Sequence, residues 1–208
     1  MITSDGARQP AEPEVRLDGR RRRSEQTRRA IIEAYLDLLS RGSGMPTANQ
    51  IAEAAGYSVR SIFERFSDLN ALSLATADHA IVLGQTEAAA RDVDADRATR
   101  IASHTGTRAL ACEKWLPLWR MITQPGQLPE LATRVRMVRL GNLERIKLMY
   151  APELATLDEA ARHETALALA ILTSFESWDQ LRHCHGLSLE AAQAVWRRAV
   201  DRLLPPAG

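Results

Sequence analysis

From Ser24 to Leu204 apolar residues recur at spacings of three and four, and no sustained stretch alternates apolar with polar. That periodicity predicts helix throughout and no strand. Ile31, Ile32, Tyr35, Leu36 and Leu39 give a first helix one apolar face, with Ser24 as its expected N-cap and Glu25 in its first turn. Gly42 and Gly44 stop that helix and Pro46 bars its continuation. Two short helices are expected next. Thr47 and Gln50 have capping-box spacing at the start of the first, which ends at Gly56. Ser58 caps the second, which runs to Phe66, and Ser67-Asp68 opens a fourth helix over 69–91. Longer helices are expected over 96–112, 115–123, 128–150, 158–184 and 188–204, with turns at Gln124-Pro125-Gly126-Gln127 and Ala151-Pro152. Gly186 stops the penultimate helix and Ser188 caps the last. The expected fold is all-α: an N-terminal three-helix domain over 24–68, then a larger helical domain over 69–208. Residues 1–23 mix Gly6, Pro10, Pro13 and Gly19 with scattered charge and read as a disordered basic arm.

The stretch 47–66 carries the most specific pattern. Its two short helices are joined with almost no slack. Gly56 suits a helix that must end and reverse within three residues, because a residue at positive φ is needed there. Ala52 and Ala55 are small enough for a close, steep crossing, and Ile51, Ile62 and Phe66 can meet behind the turn. Ser58, Arg60, Ser61, Glu64 and Arg65 are left on the outer face. This is the plan of a helix-turn-helix, whose second helix enters the major groove of DNA.

Charge sharpens that reading. The whole chain of 208 residues has a formal net charge of only +1. Residues 20–66, however, hold nine arginines against five acids, so positive charge gathers around the helix-turn-helix. Arg20 to Arg23 form either a solvated tail or a basic arm that reaches phosphates or a minor groove. Two cysteines are too few for a disulfide framework, and no apolar run approaches the roughly 20 residues that span a bilayer. The expectation is a cytoplasmic protein with no membrane partner. His183-Cys184-His185, with His163 upstream, do not converge as metal ligands should on a helix, so no metal and no other cofactor is expected. No nucleophile–base pair or phosphate loop stands out, and the chain does not read as an enzyme.

Residues 24–72 resemble the DNA-binding domain of the TetR family of bacterial transcriptional regulators. The resemblance rests on Ile51-Ala52-Glu53-Ala54-Ala55-Gly56-Tyr57-Ser58, then Ser61-Ile62-Phe63, Arg65-Phe66 and Leu72. It implies a DNA-binding surface of Thr47, Tyr57, Ser58, Val59, Arg60, Ser61, Phe63 and Arg65. Arg60 is the expected base reader, since a guanidinium bonds bidentately to guanine. Ser58 and Ser61 are placed to reach phosphate or base edges, Thr47 and Tyr57 to contact phosphate. The bland alternatives are a solvated Arg60, a Ser58 that only caps, and a Tyr57 that only packs. Three positions depart from the family's pattern: Phe63 where Tyr is usual, Arg65 where His is common, and Leu69 where Lys usually opens the fourth helix. Fewer phosphate contacts imply weaker, less salt-dependent binding, unless the Arg20–Arg23 arm compensates.

For the larger domain the resemblance implies dimerisation and ligand binding. It places a homodimer's four-helix bundle on the last two helices, with Leu172, Phe175, Trp178, Val195, Trp196 and Val200 at the interface; packing within one subunit is the alternative. It also implies a ligand pocket, with His104, Arg108, Trp115, Trp119, Met137 and Tyr150 as candidate lining, or else as plain core. The whole then reads as a repressor that a small-molecule effector releases from a palindromic operator on double-stranded DNA. The rival readings are a helical protein-interaction module and a small helical enzyme that retains a non-functional helix-turn-helix.

Overall fold

The structure, a computed structural model, describes residues 14–42 and 44–206. Among these residues it contains helices and turns and no strand. The first helix, α1, spans Glu14–Ser40. The expected arm is therefore corrected over 14–23, which continue the helix, and Ser24 is an interior residue rather than a cap. Residues 1–13 of that arm lie outside the described residues. Arginine is a good helix former, and the turn is held locally. Arg21 Nε donates to Glu25 at 3.2 Å, and Arg23 Nε donates to the Gly19 carbonyl at 3.2 Å.

Two short helices follow, α2 over Ala48–Ala55 and α3 over Val59–Phe63, and then α4 over Leu69–Glu87. Ile31, Tyr35, Ile51, Ile62, Phe66 and Leu72 are buried together where these four helices meet. Arg28 reaches across from α1, donating from Nη1 to the Arg65 carbonyl at 3.0 Å, with its guanidinium 4.3 Å from the centre of the Phe66 ring. Tyr35 OH and Ser73 Oγ share a buried hydrogen bond of 3.0 Å that ties α1 to α4.

The body consists of α5 (Arg97–Ile122), α6 (Pro129–Met149), α7 (Ala151–Leu154), α8 (Glu159–Leu172), α9 (Phe175–Asp179), a π-helical turn over Gln180–Cys184, and α10 (Leu189–Leu203). Three sequence expectations change here. The helices expected over 96–112 and 115–123 are one helix, α5, despite Pro117 inside it. The polar pair at 113–114 does not interrupt it. Glu113 reaches sideways to Trp178 and Arg182, and Lys114 to Glu87. The turn expected at Ala151-Pro152 is the short helix α7, with Pro152 in its first turn, where proline is tolerated.

The helix expected over 158–184 breaks at Thr173-Ser174. Arg108 Nε donates to the Thr173 carbonyl at 2.9 Å, taking an acceptor that a continuous helix would have used. Ser174 then caps α9, its Oγ accepting from the Ser177 amide at 3.1 Å.

Burial places the core. One cluster runs unbroken from Ile31 and Ile62 through Leu72 and Ala80 to Trp119, Trp178 and Trp196. A second, built on Ile101, Ile146, Tyr150, Leu169 and Val200, closes the far end. The division expected near residue 68 is thus not a gap in the core, because α4 packs into both the N-terminal helices and the body.

Candidate nucleic-acid interface and ligand cavity

Local chemistry fixes the helix-turn-helix. Thr47 Oγ1 accepts from the Gln50 amide at 3.3 Å, and Gln50 Oε1 accepts from the Thr47 amide at 2.9 Å. The reciprocal pair satisfies donors that the start of α2 otherwise leaves open. Gly56 ends α2 at φ 72°, a conformation that a side chain disfavours. Ser58 Oγ accepts from the Ser61 amide at 3.1 Å, and the two hydroxyls lie 2.9 Å apart.

The eight residues expected to face DNA fall on or beside these two short helices. Thr47, Tyr57, Ser58, Arg60 and Phe63 are exposed; Val59, Ser61 and Arg65 are partly covered. Arg60 is the most open of the pairs' arginines, with 87% of its side chain accessible. Among the described residues it is tied only to Glu64, with Nε donating at 3.0 Å, an exposed pair that solvent can replace at little cost. Phe63 presents a bare ring, 45% exposed, at the end of α3. Leu69, which the pattern marked as a departure, is partly buried at the start of α4.

A cavity of about 230 Å³ lies between α4, α5 and α6, with Phe175 also in its wall. Of the six pocket residues expected, Arg108, Trp115, Trp119 and Met137 line it. His104 and Tyr150 do not. They are buried together, His104 Nδ1 and Tyr150 OH sharing a hydrogen bond of 2.8 Å. Burial, with Arg108 and Arg145 adding to it, pushes the His104 pKa down to about 3, so this imidazole is neutral at ordinary pH.

Sequence reasoning missed Asn142, Arg145 and the α4 wall of Ala77, Ile81 and Gly84. The signal for the α6 part was present: Val138, Gly141, Asn142 and Arg145 recur at helical spacing with Met137 beside them.

Four of the six expected dimer residues need correction. Phe175, Trp178, Trp196 and Val200 are buried within the subunit. Trp178 and Trp196 pack 4.7 Å apart, and Trp178 Nε1 donates to Glu113 at 2.7 Å. Their hydrophobicity fills this chain's own interior. Leu172 and Val195 keep partial exposure. The open apolar surface of α8 is at Leu167 and at Ile171, which is 71% exposed.

Comparison with known proteins bears on the fold. No protein-family model and no curated protein sequence matches the chain. Solved structures do. One is a protein from Rhodococcus sp. assigned to the TetR family of transcriptional regulators, at a TM-score of 0.64 and 19% identity, covering 86% of this chain and 99% of that one. Another is NalD, the secondary repressor of the MexAB-OprM multidrug efflux pump in Pseudomonas aeruginosa, at a TM-score of 0.58 and 20% identity, covering 88% of this chain and 97% of that one. The chain has the all-α fold of TetR-family regulators. Among the described residues, no helix is long and apolar enough to cross a membrane.

Proposed function

We propose that this protein is a sequence-specific transcriptional regulator of the TetR type, a repressor that acts as a homodimer in the cytoplasm and leaves its operator when a small organic ligand binds. It binds and does not catalyse. The observation that carries the reading is the exposed face of α3, whose Arg60 projects into solvent beside two serines at the end of a capped turn. Such a face suits base-edge and phosphate contacts in a major groove. A single helix-turn-helix reads few base pairs, so a two-fold pair across a palindrome follows. Leu167 and Ile171, with Leu172 and Val195 beside them, are the apolar surface offered to a second copy.

Release follows from the position of α4. Its first half packs on α1 and the helix-turn-helix through Leu72 and Ser73, and its second half walls the cavity through Ala77, Ile81 and Gly84. A ligand that fits one setting of α4 better than another shifts the population of head positions, and with it the spacing of two α3 helices in a dimer.

The test is capture of sheared genomic DNA on the full-length protein at physiological salt, followed by sequencing, with Arg60→Ala in parallel. Recovery of a palindromic site that Arg60→Ala loses supports the reading. Uniform, salt-sensitive recovery without a site would overturn it, since that is backbone attraction alone.

A further inference from the structure

Resting on the ligand-release reading above, we infer that the effector is a small organic anion, a carboxylate seated at Arg108 and Arg145 with its apolar body among Ile81, Trp115, Trp119 and Phe175.

The cavity wall contains two guanidinium groups and no carboxylate. Among the described residues, the body's other buried or partly buried arginines, Arg97, Arg100, Arg134 and Arg182, each pair with an acid. Arg108 is only 7% exposed, yet has no acidic partner among the described residues. Its Nε is fixed on the Thr173 carbonyl and its guanidinium lies 4.6 Å from the centre of the Phe175 ring. Those two contacts orient the group and leave its terminal nitrogens without a hydrogen-bond acceptor among the described residues. Arg145, partly buried on α6, makes no hydrogen bond or ion pair among them.

The two charges also oppose each other. Burial first, and then the Arg108 charge, hold Arg145 below the usual arginine range. A guanidinium group is a cation at neutral pH. Keeping two like charges on one partly desolvated wall is unfavourable until an opposite charge enters. Trp115 adds a third demand, because its indole Nε1 is buried without an acceptor.

A ligand that answers these groups accepts hydrogen bonds and carries negative charge at one end. A cation is excluded by repulsion, and a neutral molecule leaves both guanidinium groups uncompensated. Of the remaining lining, Gln85 and Asn142 are polar, and the rest, including Ala77, Ala80 and Ile122, is apolar. A volume of about 230 Å³ lies just under the ~300 Å³ at which drug-sized sites begin. One or two fused rings, or a medium alkyl chain, fit that space.

Calorimetry on the full-length protein with three matched pairs tests this: benzoate and benzamide, 2-naphthoate and 2-naphthamide, octanoate and octanamide. Arg145→Gln is the variant, because Arg145 holds nothing in place, whereas Arg108 anchors the break between α8 and α9. At least one acid is expected to bind roughly tenfold or more tightly than its amide, the scale of a charged hydrogen bond. That preference should fall by roughly threefold or more in Arg145→Gln. The proposal is overturned if no acid binds, if the amides bind as well as the acids, or if the preference falls by less. Retention of captured DNA is measured separately. An acid that binds through Arg145 without releasing DNA upholds the anion site and ends the induction reading. Release by an amide where its acid fails upholds induction and ends the anion proposal.

Discussion

The helix-turn-helix and the helical body handle polar groups in opposite ways. In the former, caps sit next to the amides they satisfy, as at Thr47 and Ser58, and the remaining polar atoms mostly face water. Among its described side chains only Arg65 Nε is buried without a partner. The body buries five such atoms: Arg100 Nε, His104 Nε2, Trp115 Nε1, Asn142 Oδ1 and Glu153 Oε2. Each orphan costs about 1–3 kcal/mol. Two of them, on Trp115 and Asn142, belong to the cavity wall that also holds Arg108 and Arg145. The short helices keep their polar chemistry on the outside; the body keeps unmet demand on the inside.

The contrast is chemical, and a shared core crosses it. Trp178→Ala is the largest test. Trp178 is fully buried against Trp196 and hydrogen-bonded to Glu113. Its removal should lower stability by about 3–5 kcal/mol in urea denaturation. Because one cluster runs from Ile31 to Trp196, amide protection in α1 to α3 should fall together with that of α10. Protection retained in α1 to α3 alone would make the two regions independent folding units.

A pH titration is next in size. The folded His104 pKa is about 3, against an ordinary 6.5. Below pH 6.5 the unfolded chain takes up a proton that the folded chain refuses, so stability is full above 6.5 and declines as pH falls toward 3. The loss between pH 7 and pH 5 from this one group is about 2 kcal/mol. His104→Gln should remove that increment. Glu113, held down by its hydrogen bonds from Arg182, and Asp179, held down by Arg120, titrate below this window. A pH dependence identical in the variant would show that His104 is not the group responsible.

These two regions also differed in how far the sequence disclosed them. Thr47, Gly56, Ser58 and Asp68 each act on backbone within a few residues, so their types and spacing were enough to place α2, α3 and the start of α4. The break at Thr173-Ser174 depends on Arg108, 65 positions away, and local periodicity carries no trace of such a contact. Four of the expected dimer residues, Phe175, Trp178, Trp196 and Val200, turned inward for a related reason. Hydrophobicity marks what is buried without saying by which neighbour, and Trp178 and Trp196 bury each other. In the cavity the aromatic and arginine residues of α5 were legible by type. Arg145 was on the visible helical face of α6, but its missing partner could be seen only once the surrounding side chains were placed.

Thr47→Ala separates the regions at smaller scale. It removes the side chain that accepts from the Gln50 amide and leaves the body untouched. The expected cost is about 1 kcal/mol. Exchange of the first α2 amides should quicken by roughly fivefold, while those of α8 and α10 shift only as far as global stability shifts. Equal acceleration everywhere would show that α2 never opens by itself.

The smallest effect on stability should come from Arg60, on which the proposed recognition rests. Among the described residues Arg60 pairs only with Glu64, across one turn of an exposed surface. Such pairs contribute about 0.3–0.5 kcal/mol. Arg60→Ala should therefore leave the urea midpoint nearly unchanged, while its captured DNA loses any preferred sequence. The two readouts pull apart only if the side chain is kept for a partner outside the fold. A midpoint that drops by more than about 1 kcal/mol in equivalent stability, well beyond what an exposed pair supplies, would mean that Arg60 is structural. The outward face of α3 would then carry no more unmet chemistry than any solvated helix.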